Sequence, residues 1–199
     1  MALKIEYASI ATMSIFLVQA PVTFCYYQLM KRITIVGSPG AGKSTFAKAL
    51  AKKTRIPLHH LDFYYHQKKF DYENDKQAWL RKLHELTSGD TWIIEGNYGS
   101  SYGQRIPKSD TLIFMDMPAS LSIWSVLKRR VQYRKRRRSE MPAEWKEKID
   151  PIFFKYVLLF RVKSRKDVVD GIEKYKHNNL EIVHFKSRKA AYEWLKKLD

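Results

Sequence analysis

The sequence predicts an α/β protein in which a five-stranded parallel sheet is covered by helices on both faces. Three observations support this prediction. From Arg32 onward, short β-rich runs alternate with longer helical stretches, as they do in chains built from strand–helix–strand units. The run 110–116 contains four consecutive apolar residues at 112–115, as expected for a central strand that is buried on both faces. The 199 residues, 45% of them hydrophobic, suffice for one domain with inserts.

The first half of this alternation contains three strands and two helices. The alanines and Leu50 of the first helix have high helix propensity. Pro57 separates that helix from the next strand, and Trp79, Leu83 and Leu86 recur at helical spacing in the second helix. The elements predicted here are strand 33–36, helix 45–54, strand 58–61, helix 77–86 and strand 91–95.

The second half adds two strands and three helices. Pro118 closes the fourth strand, and Ile123, Leu127 and Val131 form a stripe that should face the core on the helix that follows. The pair Asp150–Pro151 supplies an N-cap and a proline at the first helical position of a longer helix. The elements predicted here are strand 110–116, a helix from about 120 into the basic segment, helix 150–176, strand 180–185 and helix 190–198.

A glycine-rich motif follows the first strand directly. Residues Gly37–Ser44 read GSPGAGKS and match the phosphate-binding pattern GxxxxGK[ST]. The glycines let backbone amides converge on phosphate oxygens at the start of the next helix. Lys43 can then reach the outer phosphates, and Ser44 or Thr45 can bind Mg²⁺. The residues predicted to bind a nucleoside triphosphate are Gly37, Ser38, Pro39, Gly40, Ala41, Gly42, Lys43, Ser44 and Thr45.

Polar side chains follow the other strands at the edge of the sheet where α/β proteins bind ligands. Glu95 ends the third strand and is predicted to hold Mg²⁺ through water together with Ser44, with a turn-capping role as the alternative. Asp62 follows the second strand and is predicted to act on a phosphoryl acceptor, with a helix cap as the alternative. Asp116 is either a third site carboxylate or a turn residue. Arg188 follows the fifth strand and is predicted to contact the nucleotide.

A strongly basic segment lies between the fourth and fifth strands. Residues 128–138 hold eight cations in eleven positions, and a helix would place Arg130 and Arg134 one turn apart. Arg161 and Arg165 repeat that spacing. Such arginines can close over a triphosphate as a mobile lid, so Arg130 and Arg134 are predicted to be catalytic. A solvated basic face and a surface for single-stranded nucleic acid remain alternatives.

Charge and cysteine content narrow the partners and the compartment. The 37 Lys and Arg residues outnumber the 20 Asp and Glu residues by 17, which indicates an anionic partner such as a nucleotide, a phosphorylated metabolite, nucleic acid or a membrane surface. Cys25 is the only cysteine, so an intramolecular disulfide and a thiolate zinc site are excluded, and the reducing cytoplasm is the expected location. The six histidines show no metal-ligand spacing and are assigned no role.

Residues 1–29 differ from the rest of the chain. The stretch 8–29 has no charged side chain over 22 positions, which is long enough to cross a bilayer. A secretory signal is disfavoured because Glu6 offsets Lys4. The favoured interpretation is that the protein starts at Met30, that residues 1–29 are a misread or dispensable extension, and that 30–199 form the domain. A membrane anchor remains the alternative.

Five motifs follow one another along the chain, namely the phosphate-binding loop, LD at 61–62, WIIEGNY at 92–98, DTLIFMDMP at 110–118 and WSVLKRRVQYRKR at 124–136. Taken together they resemble the adenylate-kinase-like P-loop kinases and are most similar to the bacterial group labelled DNA topology modulation proteins. The resemblance implies the P-loop nucleoside triphosphate hydrolase fold, ATP and Mg²⁺, an acceptor insert at about 62–90 and a lid at about 128–150. Adenylate kinases carry an acidic-Gly-aromatic-Pro-Arg turn after the third strand. Its replacement by Glu95-Gly96-Asn97-Tyr98 does not support AMP as the acceptor.

These observations leave three functional hypotheses. The leading one is an ATP- and Mg²⁺-dependent kinase of a small molecule, with a nucleoside or nucleotide as the favoured acceptor and with Lys43 and the lid arginines stabilising the transferred group. The second is an ATP-binding protein that contacts DNA through its basic segment and affects DNA topology. The third is a kinase of a non-nucleotide metabolite such as a sugar acid. The sequence names neither the acceptor nor the oligomeric state.

Overall fold

A five-stranded, wholly parallel sheet forms the centre of the computed structural model, with the strands in the order β2-β3-β1-β4-β5. The structure describes residues 30–67, 72, 74–132, 141, 142, 155 and 157–198, and for 129–132 it describes the backbone alone. The strands are Arg32–Gly37 (β1), Leu58–His60 (β2), Trp92–Glu95 (β3), Thr111–Met115 (β4) and Glu181–Phe185 (β5). The five predicted strands and their parallel arrangement are confirmed.

Helices cover both faces of the sheet. In chain order they are Lys43–Thr54 (α1), Leu61–Tyr65 (α2), Lys76–Leu86 (α3), Tyr102–Arg105 (α4), Ala119–Gln132 (α5), Ser164–Tyr175 (α6) and Arg188–Lys196 (α7). Short 3-10 turns at Gly99–Ser101 and Ile106–Lys108 flank α4. None of the helices in the described ranges is long and apolar enough to cross a membrane.

The alternation of side chains along β1 builds a core on each side of the sheet. Ile33 and Ile35 lie in one cluster with Phe46 of α1 and residues of α7, and all three are fully buried. Val36 lies in the opposite cluster with residues of β4 and α6. A third cluster packs α3 against β3, with Trp79 among its buried members. Burial of this much apolar surface, at about 25 cal/mol per Å², is the main force that holds the helices on the sheet.

The strand order determines where a ligand can bind. Because all the strands are parallel, their carboxyl ends lie along one edge of the sheet. The central strand β1 is flanked by β3 and β4, so the loop after Gly37 lies between the ends of those two strands. The order also reverses at β1, since β3 follows on one side and β4 on the other. Open α/β sheets bind ligands at such a reversal.

The predicted helix 150–176 is not continuous. In its described part the chain makes a turn at 160–163, and α6 begins only at Ser164. Phe160 is buried, whereas Arg161 and Val162 are exposed. The amides of Val162 and Lys163 both donate to Leu159 O, which closes the turn. Packing of Phe160 into the core therefore outweighs the helix propensity of the run.

Several further predictions differ from the structure or are not tested by it. The second strand ends at His60, one residue earlier than predicted, because the buried Leu61 opens α2. The apolar segment 1–29 and the Asp150–Pro151 helix start lie outside the described residues. The acceptor insert at about 62–90 and the lid at about 128–150 stay predictions.

Candidate active site

The glycine-rich loop between β1 and α1 packs directly against the main chain of neighbouring elements. Gly37 has φ 142°, and a Cβ placed on it would lie 2.2 Å from Met115 O of β4. Gly40 has φ 70°, and its Cβ would lie 2.7 Å from Ser122 O of α5. Only glycine combines these backbone angles with so little space. The sequence pattern is thus a direct requirement of the packing around the loop.

Gly37→Ala is expected to destabilise the protein by about 3 kcal/mol, because the added methyl group meets main-chain atoms that cannot move aside and the φ angle is unfavourable for alanine. Urea denaturation of the two proteins measures the difference. Gly99→Ala is the matched control, since a Cβ there would meet nothing within 4 Å. Equal stability losses for the two variants would contradict the packing explanation.

The ammonium group of Lys43 is hydrogen-bonded to main-chain carbonyl oxygens at the start of the loop. Its Nζ donates to Gly37 O at 3.0 Å and to Ser38 O at 2.9 Å. The amide of Ser38 donates to Met115 O at 2.9 Å, which continues the β1–β4 pairing into the loop. The first amides of α1 have no acceptor within the helix, and the first turn carries no acidic residue. Amides, helix dipole and ammonium group together suit a polyphosphate.

Two side chains outside the loop brace its backbone. Asn97 accepts from Gly37 N at 2.9 Å and donates to Gly37 O at 2.7 Å, so it satisfies both polar groups of that residue. Arg188, the first residue of α7, donates to Ala41 O at 3.0 Å and also to Gly40 O and Ser125 Oγ. The structure therefore places Arg188 against the main chain of the loop. Its direct contact with a nucleotide stays a prediction.

Glu95 is the centre of a buried polar group beside the loop. Ser44 Oγ donates to Glu95 Oε2 at 3.2 Å, and His60 Nδ1 lies 3.0 Å from the same oxygen. Burial by itself raises the pKa of the Glu95 carboxyl. The hydrogen bond from His60, the charge of Lys43 and the hydroxyl of Ser44 outweigh that effect and hold the pKa below its ordinary value. Glu95 is thus an anion at neutral pH despite its burial.

The Ser44 hydroxyl and the Glu95 carboxylate fit a magnesium ion. Mg²⁺ prefers hard oxygen ligands, keeps several waters and is usually held by one or two carboxylates plus the phosphates of its nucleotide. Within the described ranges no group of three or more His, Cys, Asp or Glu side chains is arranged to hold a metal ion. A hydroxyl and one ionised carboxylate next to the phosphate loop are sufficient for a nucleotide-borne cation.

Asp62, in the first turn of α2, forms a second carboxylate site. Tyr98 Oη donates to Asp62 Oδ1 at 2.9 Å and lies 3.4 Å from His66 Nε2. Burial, followed by the charge of Asp62, raises the pKa of Tyr98, so its hydroxyl stays protonated and acts as a donor. One oxygen of Asp62 is thereby oriented, and no side-chain cap bond forms at this helix. A role for Asp62 toward a phosphoryl acceptor stays a prediction.

Aromatic side chains line the region behind Asp62. The ring of Tyr65 lies 4.6 Å from that of Tyr98, and the ring of Trp79 lies 5.5 Å from Tyr98. Tyr72 packs on Trp79 at 5.3 Å, and both are buried. Such rings pack rigidly and limit the movement of the Tyr98 hydroxyl. These packed aromatic side chains therefore restrain the position of the Tyr98 hydroxyl relative to Asp62.

The third strand-end carboxylate, Asp116, is bound to other partners. Arg165 of α6 donates to both of its oxygens at distances of 2.8 to 3.1 Å. His184 Nε2 lies 3.3 Å from Asp116 Oδ2. The Asp116 side chain is 2% exposed. The interpretation of Asp116 as a structural residue is therefore favoured, and Arg165 braces β4 against α6.

Stability should decrease at low pH because of this ion pair. Burial raises the pKa of Asp116, but the hydrogen bond and charge of Arg165 and the bond from His184 lower it below its ordinary value of 3.8. The stabilisation is therefore complete above that value and is lost as the pH falls through the folded-state pKa. Asp116→Asn should lower the free energy of unfolding by about 2 kcal/mol at pH 7.

Urea denaturation at pH 7 and pH 3 tests this prediction, and the gap between wild type and the Asp116→Asn variant should narrow at pH 3. Asp90→Asn, a change at an exposed carboxylate, is the control. If the difference in free energy of unfolding between the two proteins increased at pH 3, the lowered pKa assigned to Asp116 would be wrong.

The predicted lid arginines are not part of the described site. Arg130 lies on α5, but its side chain is not described, and Arg134 lies outside the described residues. Arg161 and Arg165 do not form a helical pair, because the turn at 160–163 separates them. Arg165 instead binds Asp116. A catalytic role for Arg130 and Arg134 stays a prediction.

Sequence reasoning missed three side chains that hold the site together. His60 and His184 were assigned no role, yet they contact Glu95 and Asp116. Asn97 was noted only within a motif, yet it bonds both polar groups of Gly37. A usable signal was the position of His60 at the end of β2, since residues that end adjacent parallel strands lie side by side.

Comparisons with known proteins identify the fold. No family model matches the chain, and no curated protein matches it. The chain is similar to the solved structure of shikimate kinase from Acinetobacter baumannii in complex with shikimate, with a TM-score of 0.54 and 16% identity over 87% of this chain and 93% of that one. It is also similar to shikimate kinase from Bacteroides thetaiotaomicron, with a TM-score of 0.52 and 20% identity over 85% and 96% of the two chains. At these identities the likeness shows the fold, and the predicted P-loop nucleoside triphosphate hydrolase fold is confirmed.

Proposed function

We propose that this chain is a P-loop kinase that transfers the γ-phosphoryl group of ATP to a small molecule in the presence of Mg²⁺. The observation that carries the proposal is the segment Glu95–Tyr98 at the end of β3. Glu95 contacts Ser44, Asn97 contacts Gly37, and Tyr98 contacts Asp62. One short segment thus joins a phosphate loop, a cation-binding carboxylate and a second carboxylate suited to an acceptor.

The residues around the loop supply what phosphoryl transfer needs, which is positioning and charge neutralisation. Backbone amides and Lys43 would bind the phosphates and stabilise negative charge that shifts toward the leaving ADP. Ser44 and Glu95 would hold a magnesium ion, which would supply neutralisation of the negative charge of the phosphates. Arg188 and Asn97 keep the loop in the conformation that this binding requires.

Asp62 suits a hydroxyl acceptor. Its Oδ1 is held by Tyr98, which leaves the other carboxylate oxygen to accept the hydroxyl proton. As the acceptor's hydroxyl oxygen loses its proton to Asp62, it forms a bond to the γ-phosphorus of ATP. The bond from that phosphorus to the bridging oxygen of the departing ADP breaks. A nucleoside or nucleotide is the favoured acceptor, in keeping with the sequence resemblance to adenylate-kinase-like kinases and the DNA topology modulation group. That finer resemblance rests on the sequence motifs alone.

A panel of acceptors tests the proposal. Purified protein is incubated with Mg²⁺ and ATP, and acceptor-stimulated ADP release is measured with nucleosides, nucleoside monophosphates, sugar acids and shikimate. Shikimate is included because one structure of similar fold contains it. Stimulation by a nucleoside or a nucleoside monophosphate supports the leading hypothesis, and stimulation by a sugar acid or shikimate supports the third one. Absence of ATP binding in calorimetry with Mg²⁺ would overturn the kinase proposal.

The DNA-binding hypothesis depends on the basic segment. Residues 133–138 lie outside the described residues, so this hypothesis stays one from the sequence alone. Neutralising Arg134 and residues 136–138 separates it from the kinase proposal. Loss of DNA affinity with ATP turnover intact favours the DNA-binding protein, whereas loss of phosphoryl transfer favours a catalytic lid.

A further inference from the structure

His60 is the last residue of β2 and pairs in register with Glu95, the last residue of β3. Side chains at paired positions of adjacent parallel strands project from the same face of the sheet. The His60 and Glu95 side chains are 12% and 8% exposed, and His60 Nδ1 lies 3.0 Å from Glu95 Oε2. The contact is therefore imposed by the sheet and shielded from water.

The direction of this hydrogen bond follows from the chemistry of its partners. An ionised carboxylate, which is the form that serves a cation, only accepts hydrogen bonds. The proton of the His60 ring must then be on Nδ1, which donates. Ser44 Oγ donates to the same oxygen, Oε2. Two donors thus converge on one carboxylate oxygen, and no described residue donates to Oε1.

We propose that His60 is a positioning residue that fixes the Glu95 carboxylate so that Oε1 faces the water shell of the nucleotide-bound cation. This inference rests on the proposed function, since it assumes that Glu95 serves a cation. A glutamate has three side-chain torsions, and two hydrogen bonds on one oxygen remove most of that freedom. Residues that orient metal-binding groups in this way commonly change metal affinity 10- to 100-fold when they are replaced.

The positioning role of His60 can be tested without measuring activity, by measuring how tightly Mn²⁺ binds to the complex of the protein with a non-hydrolysable ATP analogue. Mn²⁺ takes oxygen ligands as Mg²⁺ does, and its free concentration is measured by electron paramagnetic resonance. His60→Gln moves the side-chain amide away from the position of Nδ1 and should weaken Mn²⁺ binding about tenfold. His60→Asn keeps an N–H donor close to that position and should restore the affinity to within about twofold.

The control is His59→Gln, because His59 Nδ1 contacts Tyr64 Oη instead of Glu95. It should leave Mn²⁺ affinity unchanged. The affinity of each variant for the ATP analogue without metal serves as the test of an intact nucleotide site. A purely structural role for His60 would lower stability and metal-free nucleotide binding together, and the Asn variant would not rescue the metal affinity.

A comparison with Glu95→Gln separates failure of this inference from failure of the proposed function. If Glu95→Gln weakens Mn²⁺ binding but His60→Gln does not, the positioning role is wrong and the cation site stands. If Glu95→Gln leaves Mn²⁺ binding unchanged, both the metal assignment and the inference are wrong. In the double variant the two losses should not add, because His60 acts through Glu95.

Discussion

Replacing Lys43 by methionine is expected to lower kcat for phosphoryl transfer by about a thousandfold. The ammonium group is the cation that sits within the loop, bonded to Gly37 O and Ser38 O. A preorganised charge that stabilises the transition state typically contributes two to three orders of magnitude or more. Methionine preserves the length of the side chain, so the loss reports the charge and its hydrogen bonds.

The measurement for Lys43→Met is ADP release stimulated by whichever acceptor the panel identifies. Lys52→Met is the matched control, since Lys52 is exposed on the same helix, and it should keep full activity. Thermal unfolding of both variants shows whether the loop still folds. Turnover within tenfold of wild type in a folded Lys43→Met variant would remove the central assignment of the site.

Asp62→Asn should lower kcat about 10²- to 10⁴-fold with a hydroxyl acceptor, because a positioned general base contributes that much to proton transfer. The amide keeps the shape of the side chain and can still accept the hydrogen bond from Tyr98 Oη. ATP affinity should not change, since the contacts of Asp62 lie away from the phosphate loop. Steady-state kinetics with the acceptor varied at saturating ATP separate the effects on kcat and on KM.

Tyr98→Phe tests the hydrogen bond to Asp62 separately from the Asp62 carboxylate itself. It keeps Asp62 but removes the hydrogen bond that orients it, and the expected loss in kcat is about tenfold. Asp90→Asn, a change at an exposed carboxylate, is the control and should be neutral. An Asp62→Asn variant that turns over a hydroxyl acceptor at the wild-type rate would show that Asp62 is not the base.

The fold was predictable because its signals are local in the chain. The phosphate loop directly follows the run 33–36, in which Ile33, Ile35 and Val36 are buried on the two faces of the sheet, as expected for a central parallel strand. The apolar run of β4 likewise indicated a strand buried on both faces. Boundaries shifted by one or two residues, since strand ends depend on where the partner strand stops.

The interrupted helix near 160 shows where local signals fail. The N-cap and proline at Asp150–Pro151 predicted one helix through this region, but Phe160 packs into the core cluster that contains Val36 and Phe114. The chain must turn there to start α6 at an angle that lets Arg165 reach Asp116. Neither requirement can be read from the residues of the helix itself.

The candidate site likewise has residues that the sequence indicates and contacts that only the tertiary structure reveals. The sequence alone predicted the phosphate loop and singled out Lys43, Ser44, Glu95 and Asp62 as site candidates, because the loop pattern and the ends of parallel strands are visible in the chain itself. Only the tertiary structure decided that His60 contacts Glu95 and that Asn97 contacts Gly37 across 60 residues of chain. Those contacts depend on the order and register of the strands, which form when apolar faces far apart in sequence are buried together.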